Sequence, residues 1–168
     1  MTGRAPWTVL GLIAVLAVAL LACSKKKEPL ILGPNPKSAS GRHYKATVEN
    51  VRECAIEKSP FVNIQPGNVA LGVEVTVEAP TAYSVNLGYS EIRLIDAEGH
   101  SFKALTLGGC KPELNGNAQI QAGTHVRGWL TFEVPAKPNG LTLSLRTMVL
   151  NHPPSESLWD EYVKFELR

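Results

Sequence analysis

The sequence predicts an all-β protein, an antiparallel β-sandwich of about seven to nine short strands. Two observations lead to this prediction. Short segments in which apolar and polar residues alternate recur along the 168-residue chain, separated by turns that use many of its fourteen glycines and twelve prolines. No stretch has the apolar repeat of an amphipathic helix of any length. Many short strands without helices are typical of a sandwich, in which each strand buries one face.

The first strands follow from this alternation. Residues 44–48 alternate between apolar and polar side chains, and residues 69–77 place five valine and leucine side chains on one side. A period of two among branched residues fits a half-buried strand. Pro80 ends this strand, and residues 83–87 are predicted to form a short strand after it.

A hairpin is predicted to connect residues 92–94 with residues 102–104. The connecting turn begins at Asp96 and ends at Gly99. This arrangement suits a type I turn that ends in the left-handed region, which glycine enters without strain.

The second half of the chain continues the strand pattern. Residues 106–119 are predicted to form a loop, because they contain three glycines and a proline. Alternation returns in residues 126–134, and residues 141–145 form another apolar face. The last strand is expected within residues 159–167.

Residues 1–22 are predicted to be a lipoprotein signal peptide. Arg4 precedes an uncharged apolar run that is shorter than the roughly 20 residues a membrane-spanning helix needs. The sequence Leu20-Leu21-Ala22-Cys23 resembles the bacterial lipobox, at which signal peptidase II cleaves and the cysteine receives its acyl chains. Cys23 is therefore the predicted lipidation site, and an uncleaved anchor helix is the alternative.

The predicted domain organisation follows from this cleavage. Residues 23–42 form the lipidated cysteine and a flexible linker rich in proline, glycine and serine, and residues 43–168 form the sandwich domain. By resemblance to the proteobacterial sorting rule, Ser24 favours the outer membrane. We therefore expect a domain anchored in the bacterial cell envelope through its lipid, facing the periplasm or the cell surface.

Cys54 and Cys110 are predicted to form a disulfide. With Cys23 lipidated they are the remaining pair, and an exported protein folds in an oxidising compartment. A bridge between them closes a loop of about 57 residues, for which chain entropy gives a stabilisation of at most about 4 kcal/mol. A reactive thiol is the alternative, but no neighbouring base in the sequence identifies one.

Three stretches carry a family resemblance. Residues 72–77 (GVEVTV), 94–102 (LIDAEGHSF) and 122–135 (AGTHVRGWLTFEVP) resemble, in that order, the DUF4352-type immunoglobulin-like lipoprotein domains. The resemblance covers roughly residues 43–147 and implies an immunoglobulin-like sandwich on a lipid tether. It implies no catalytic residues, and it leaves the placement of the C-terminal segment undetermined.

Trp129 and Arg127 are the candidate partner-binding residues. Alternation places both on the polar side of their strand, away from the core. Two interpretations of Trp129 are open: a loop or terminus covers it, or it is an exposed anchor of the kind that is enriched at binding hot spots. Gly128, between them, is expected to admit a neighbouring backbone or ring.

No reaction signature is present in the sequence. It has no nucleophile-elbow serine motif, no zinc-binding histidine pair and no phosphate-binding glycine loop. Its histidines lie far apart, so neither a metal site nor a cofactor is expected. The formal net charge of +2 gives no basic face, which argues against a nucleic-acid partner.

The sequence therefore predicts a non-enzymatic binding or scaffolding module of the cell envelope, with an envelope protein or a glycan as partner. Two alternatives remain open. The first is a periplasmic carrier of a small molecule or metal. The second is an inhibitor of an envelope enzyme that presents the loop around Cys110.

Overall fold

The computed structural model describes residues 37–56, 62–88, 91–106, 109–151 and 157–167. These residues form eleven strands and no α-helix. In chain order the strands are β1 Lys37–Ser40, β2 Lys45–Glu53, β3 Asn68–Glu78, β4 Ser84–Leu87, β5 Arg93–Asp96, β6 Ser101–Lys103, β7 Gln119–Ile120, β8 His125–Pro135, β9 Leu141–Leu145, β10 Thr147–Leu150 and β11 Val163–Leu167. None of the described residues forms a helix long and apolar enough to span a membrane.

The strands form two layers. The first, which we call the front sheet, has the order β1-β2-β3-β8. The second consists of two smaller sheets, β10-β4-β7 and β11-β9-β5-β6. Arg146 alone separates β9 from β10, so one run of chain passes from one small sheet to the other. All strand pairs are antiparallel, and the predicted immunoglobulin-like antiparallel sandwich is confirmed.

The core lies between the layers and is centred on β3 and β8. These strands pair from Asn68–Pro135 to Glu78–His125. The predicted inward side of β3 is fully buried at Leu71, Val73, Val75 and Val77, and Phe132 of β8 joins them. Since successive side chains point to opposite faces, the intervening residues form the outer face of the front sheet.

The domain begins earlier than predicted. Lys37–Ser40 pairs with β2, and the Ser38 hydroxyl contacts the Thr47 hydroxyl at 2.8 Å. Lys37 also donates to the Glu166 carbonyl of β11, joining the two layers. The predicted linker over residues 23–42 is therefore wrong in its last part. The predicted signal peptide, Cys23 and the rest of the linker lie outside the described residues.

Three strands are absent from the sequence prediction: β1, β7 and β10. They contain two to four residues each, too few for alternation to be recognised. The last strand is shorter than predicted, because only Val163–Leu167 pairs with β9. Trp159 instead makes a single bridge to Met148 at the edge of β10.

Asp160 holds this C-terminal segment in place. Its buried carboxylate accepts hydrogen bonds from the backbone N–H groups of Arg42, His43 and Glu161, at 3.0, 2.5 and 2.8 Å. The first two precede β2, so one side chain joins the two ends of the domain. Burial is possible because these donors replace the water that a carboxylate otherwise needs.

Candidate functional site

Cys54 and Cys110 form a disulfide on the outer face of the front sheet. Cys54 directly follows β2, and Cys110 lies 56 positions later in the connection between β6 and β7. Both side chains are buried, with Ala70 and Trp129 packed against them. The predicted pairing is confirmed.

The disulfide packs against Gly72 of β3 and Thr131 of β8, which lie opposite each other in the sheet. A methyl group at Gly72 would lie 2.5 Å from the Cys54 sulfur and 2.8 Å from the Cys110 sulfur. The Thr131 hydroxyl accepts a hydrogen bond from the Cys110 N–H at 3.1 Å and contacts the Cys54 sulfur at 3.7 Å. The bridge therefore anchors the loop to the middle of a rigid sheet.

Backbone hydrogen bonds then attach the same loop to the edge of β8. The Trp129 N–H donates to the Pro112 carbonyl, and the Leu114 N–H donates to the Trp129 carbonyl, each at 2.9 Å. Gly128 permits this approach, since a methyl group there would lie 2.9 Å from the Leu114 nitrogen. The expectation that Gly128 admits a neighbouring backbone is thus confirmed. We call residues 109–117 the pinned loop.

Trp129 lies under this loop. It is 5% exposed, in contact with the disulfide, and the Arg52 guanidinium lies 4.4 Å from the centre of its ring. The interpretation that a loop covers Trp129 is correct, and that of an exposed anchor is wrong. The physical reason is that excluding water from a large apolar ring stabilises the folded state. Here the pinned loop and the disulfide exclude water from a ring on the polar face of the strand.

Arg127, the other candidate, is exposed and already paired. Its Nε lies 3.0 Å from the Glu74 carboxylate on the neighbouring strand. This hydrogen bond and charge raise the pKa of Arg127 above its ordinary value. A partner-binding role for Arg127 stays a prediction.

Two grooves flank the pinned loop. One, of about 400 Å³, runs between the loop and β8 and is lined by Leu105, Glu113, Asn115, Asn117 and Trp129 among others. The second, of about 420 Å³, lies on the other side of the disulfide. Its lining is Arg52, Glu53, Cys54, Ala55, Gly109, Cys110 and Lys111. Both grooves have charged or amide side chains in their lining.

Arg52 and Gly72 belong to this site but were not predicted from the sequence. Gly72 carried a signal, since a glycine inside an otherwise regular strand often marks a close approach of another group. Arg52 carried none, because its role depends on Trp129, 77 positions away in the chain.

The histidines remain separate. His43 is buried, with its Nδ1 3.6 Å from the Asp160 carboxylate, and His125 is exposed at the start of β8. His100 lies in the turn between β5 and β6, and His152 lies outside the described residues. Within the described ranges, the one group of three residues that could hold a metal is Asp96, Glu98 and His100, whose ligand atoms lie within 4.8 Å of one another.

Hydrogen bonds within the turn account for this grouping. Asp96 Oδ1 accepts from the backbone N–H of Glu98 at 3.0 Å and of His100 at 2.8 Å, and Asp96 Oδ2 lies 2.9 Å from His100 Nδ1. The hydrogen bond to Asp96 and its charge raise the pKa of His100. Burial raises the pKa of Asp96, but the hydrogen bonds from His100 outweigh it, so that pKa is lowered.

Residues 37–154 match the family described as "Domain of unknown function (DUF4352)". This range is more than half of the chain and contains both half-cystines, Trp129 and the whole pinned loop. The chain belongs to the DUF4352 family. No curated protein matches it. The match ends before β11, yet β11 pairs with β9 along its whole length, so this DUF4352 protein completes its sandwich with a strand beyond the matched range.

Solved structures share the fold of this DUF4352 domain. One is ycdA, a candidate lipoprotein of Bacillus subtilis, which is 14% identical with a TM-score of 0.55; the similarity covers 80% of this chain and only 39% of ycdA. A conserved hypothetical protein of Bacillus anthracis is 13% identical with a TM-score of 0.54, covering 85% and 99% of the two chains. A functionally unknown protein of Listeria monocytogenes is 11% identical with a TM-score of 0.51, covering 82% and 89%. At these identities the likeness concerns the fold alone.

Proposed function

We propose that this protein is a lipid-anchored, non-enzymatic binding protein of the bacterial cell envelope, and that the pinned loop with its two grooves is its recognition surface. The observation that carries the proposal is the way this loop is fixed. A disulfide, the Thr131 hydroxyl and two backbone hydrogen bonds hold it against β8. Rigid presentation of a loop lowers the entropy lost on binding, which is the general advantage of a preorganised site.

The cellular setting is supported by the N-terminal sequence and the disulfide together. Leu20-Leu21-Ala22-Cys23 provides the lipid attachment site, and a buried structural disulfide suits an oxidising compartment outside the cytoplasm. The outer membrane is the proposed location, because Ser24 follows the cysteine. The proposed partner is an envelope protein or a glycan.

The binding surface is tested by replacing the tip of the pinned loop. In the full-length protein, Asn115 and Asn117 are changed to Ala together, which leaves the disulfide and the two Trp129 backbone hydrogen bonds unchanged. Chemical cross-linking in membranes, followed by mass spectrometry, identifies the partner. We expect the cross-linked partner to be lost in the loop variant and kept in the matched control Lys164→Ala, an exposed change on β11. Equal recovery with both variants would rule out the loop as the recognition surface.

The anchor is tested separately. Cys23→Ala should leave the precursor uncleaved and without acyl chains, and mass spectrometry of the N-terminal peptide measures both. A wild-type product that retains an unmodified Met1 in the cytosol would contradict the anchor.

Metal carriage is the second candidate function, favoured by the Asp96, Glu98 and His100 group. Calorimetric titration with Zn²⁺ or Cu²⁺ tests it, because three ligands from one turn should give one site per chain that His100→Ala removes. Absence of heat in the wild-type protein would eliminate this candidate.

A further inference from the structure

We propose that the groove of about 420 Å³ beside the disulfide is a binding subsite for a phosphate group, with Arg52 as its anchoring residue. The proposal deepens the proposed function, since it assigns a ligand chemistry to one of the two grooves of the recognition surface.

Arg52 is exposed, and its guanidinium carbon lies 4.4 Å from the centre of the Trp129 ring. An arginine over an aromatic ring commonly stacks on it, which leaves the N–H donors in the guanidinium plane available to a ligand. Stacking also restricts the side chain, which reduces the entropy that it would lose on binding an anion.

Arg52 differs from the other stacked arginine of the domain. Arg146 lies against the rings of Trp159 and Tyr162, but its guanidinium is paired with the Glu91 carboxylate at 2.9 Å. Arg52, by contrast, has no carboxylate partner among the described residues. A guanidinium that lies over a ring, with no carboxylate partner in the described part of the chain, suits bidentate binding of an external anion.

A second cationic side chain, that of Lys111, lines the groove from the pinned loop. Arg52 lines it from the end of β2, and the disulfide fixes the spacing between these two elements. Glu53 is the one acidic residue in the lining. Arg52 and Lys111 thus contribute two positively charged side chains to the lining, against one negatively charged side chain from Glu53.

The position of the groove suggests where the phosphate comes from. Lys37 of β1 lies opposite Val48 of β2, and β1 runs antiparallel to β2. The first residue of β1 therefore points toward the end of the front sheet that carries Arg52 and the disulfide. Thirteen residues lie between Cys23 and Lys37, and a chain of that length reaches at most roughly 45 Å. A protein held at Cys23 would thus keep this groove within reach of phospholipid head groups, where tethering raises the effective concentration of a weak ligand.

The test uses the full-length protein in a non-ionic detergent, labelled with ¹⁵N. Inorganic phosphate is titrated against chloride of equal ionic strength, while the signals of the Trp129 indole N–H and the Arg52 Nε–H are followed. A parallel titration uses short-chain phosphatidylglycerol in place of inorganic phosphate. We expect saturable shifts at both signals, and about tenfold or greater weakening in Arg52→Gln, because a charge-assisted bidentate contact is lost.

Lys164→Gln is the control, since it removes an exposed cation on β11 that does not line this groove. Its phosphate affinity should equal that of the wild type. Arg52→Lys keeps the charge but lacks the planar guanidinium, so it should bind phosphate with intermediate affinity. It takes the place of Arg52→Gln in the test if that variant fails to fold. Shifts with inorganic phosphate identify the free anion as sufficient, and shifts with the lipid alone identify the head group as the source. No saturable shift with either ligand, or equal affinity in the Arg52→Gln and Lys164→Gln variants, would overturn the proposal. These titrations do not depend on acylation, so their failure is distinct from failure of the proposed anchor.

Discussion

Gly72 lies directly beneath the Cys54 sulfur, at a distance that leaves no room for a side chain. A Cβ at this position would be 2.5 Å from Cys54 Sγ and 2.9 Å from the Trp129 ring. The strand, the bridge and the ring are thus packed as one unit. The conservative change Gly72→Ala should therefore have a large effect for its size.

We expect Gly72→Ala to lower the free energy of unfolding by about 1–3 kcal/mol, since neither the disulfide nor the ring can move away cheaply. Urea denaturation under oxidising conditions measures this. Glu78→Ala, on the same face of β3, is the control and should change stability by no more than about 1 kcal/mol, because its ion pair with Lys45 is half exposed. Equal stabilities for the two variants would contradict the packing.

Removing the disulfide should destabilise the domain strongly. The bridge spans 56 positions, for which the loss of loop-closure entropy predicts at most about 4 kcal/mol. Urea denaturation of the Cys54→Ser, Cys110→Ser double variant measures the loss, with Cys23→Ser as a control that leaves the domain stability unchanged. Thiol titration of the unfolded, non-reduced protein should find neither Cys54 nor Cys110 free. Two free thiols per chain there would refute the bridge.

Asp160→Ala should separate the C-terminal segment from the start of β2. It removes the carboxylate that accepts from the buried His43 N–H and from the partly buried Arg42 N–H, and an unsatisfied buried donor costs about 1–3 kcal/mol. We expect a stability loss of at least about 2 kcal/mol, with faster hydrogen exchange at those two amides. Glu161→Ala, an exposed neighbour, is the matched control. Unchanged exchange in the Asp160 variant would show that the carboxylate does not hold the segment.

The β5–β6 turn should respond to pH through His100 and Asp96. The pKa of His100 is raised above its ordinary 6.5, so its protonated form stabilises the turn below that pH, and the contribution is lost as the pH rises through the folded pKa. The pKa of Asp96 is lowered from 3.8, so its contribution is present above that pH and is lost as the pH falls through the folded value.

An NMR titration of the His100 ring checks this directly. The pKa should exceed 6.5 in the wild type and fall toward it in Asp96→Asn, with a smaller fall in Glu98→Gln, whose carboxylate is a lesser cause. A pKa of His100 that is the same in the wild type and in Asp96→Asn would contradict the pairing.

The part of the fold that sequence reasoning recovered is the part with a local signal. Alternation in residues 69–77 and 126–134 predicted which side chains of β3 and β8 face the core between the layers, because a strand facing a core on one side imposes a period of two. The Asp96 to Gly99 turn was likewise predicted from residue types, and Gly99 has a φ of 89°. Strands of two to four residues were missed, since pairing with a neighbour rather than their own sequence defines them.

The candidate site was recovered only in part. Counting cysteines predicted the disulfide, because compartment and parity are properties of the sequence. The state of Trp129 was left open, since its exposure depends on a loop more than ten residues away along the chain. The contact between Arg52 and the Trp129 ring could not be predicted, because the two residues are 77 positions apart in the chain.

By itself the sequence determined the strand class, the inward faces of the long strands, the cysteine pair and the expected lipid attachment at Cys23. Only the tertiary structure decided that Gly72 makes room for the bridge, that the pinned loop buries Trp129, and that no carboxylate among the described residues pairs with Arg52. The reason is physical: alternation and turn chemistry act over a few residues, whereas burial and charge pairing depend on which distant segments the fold brings into contact.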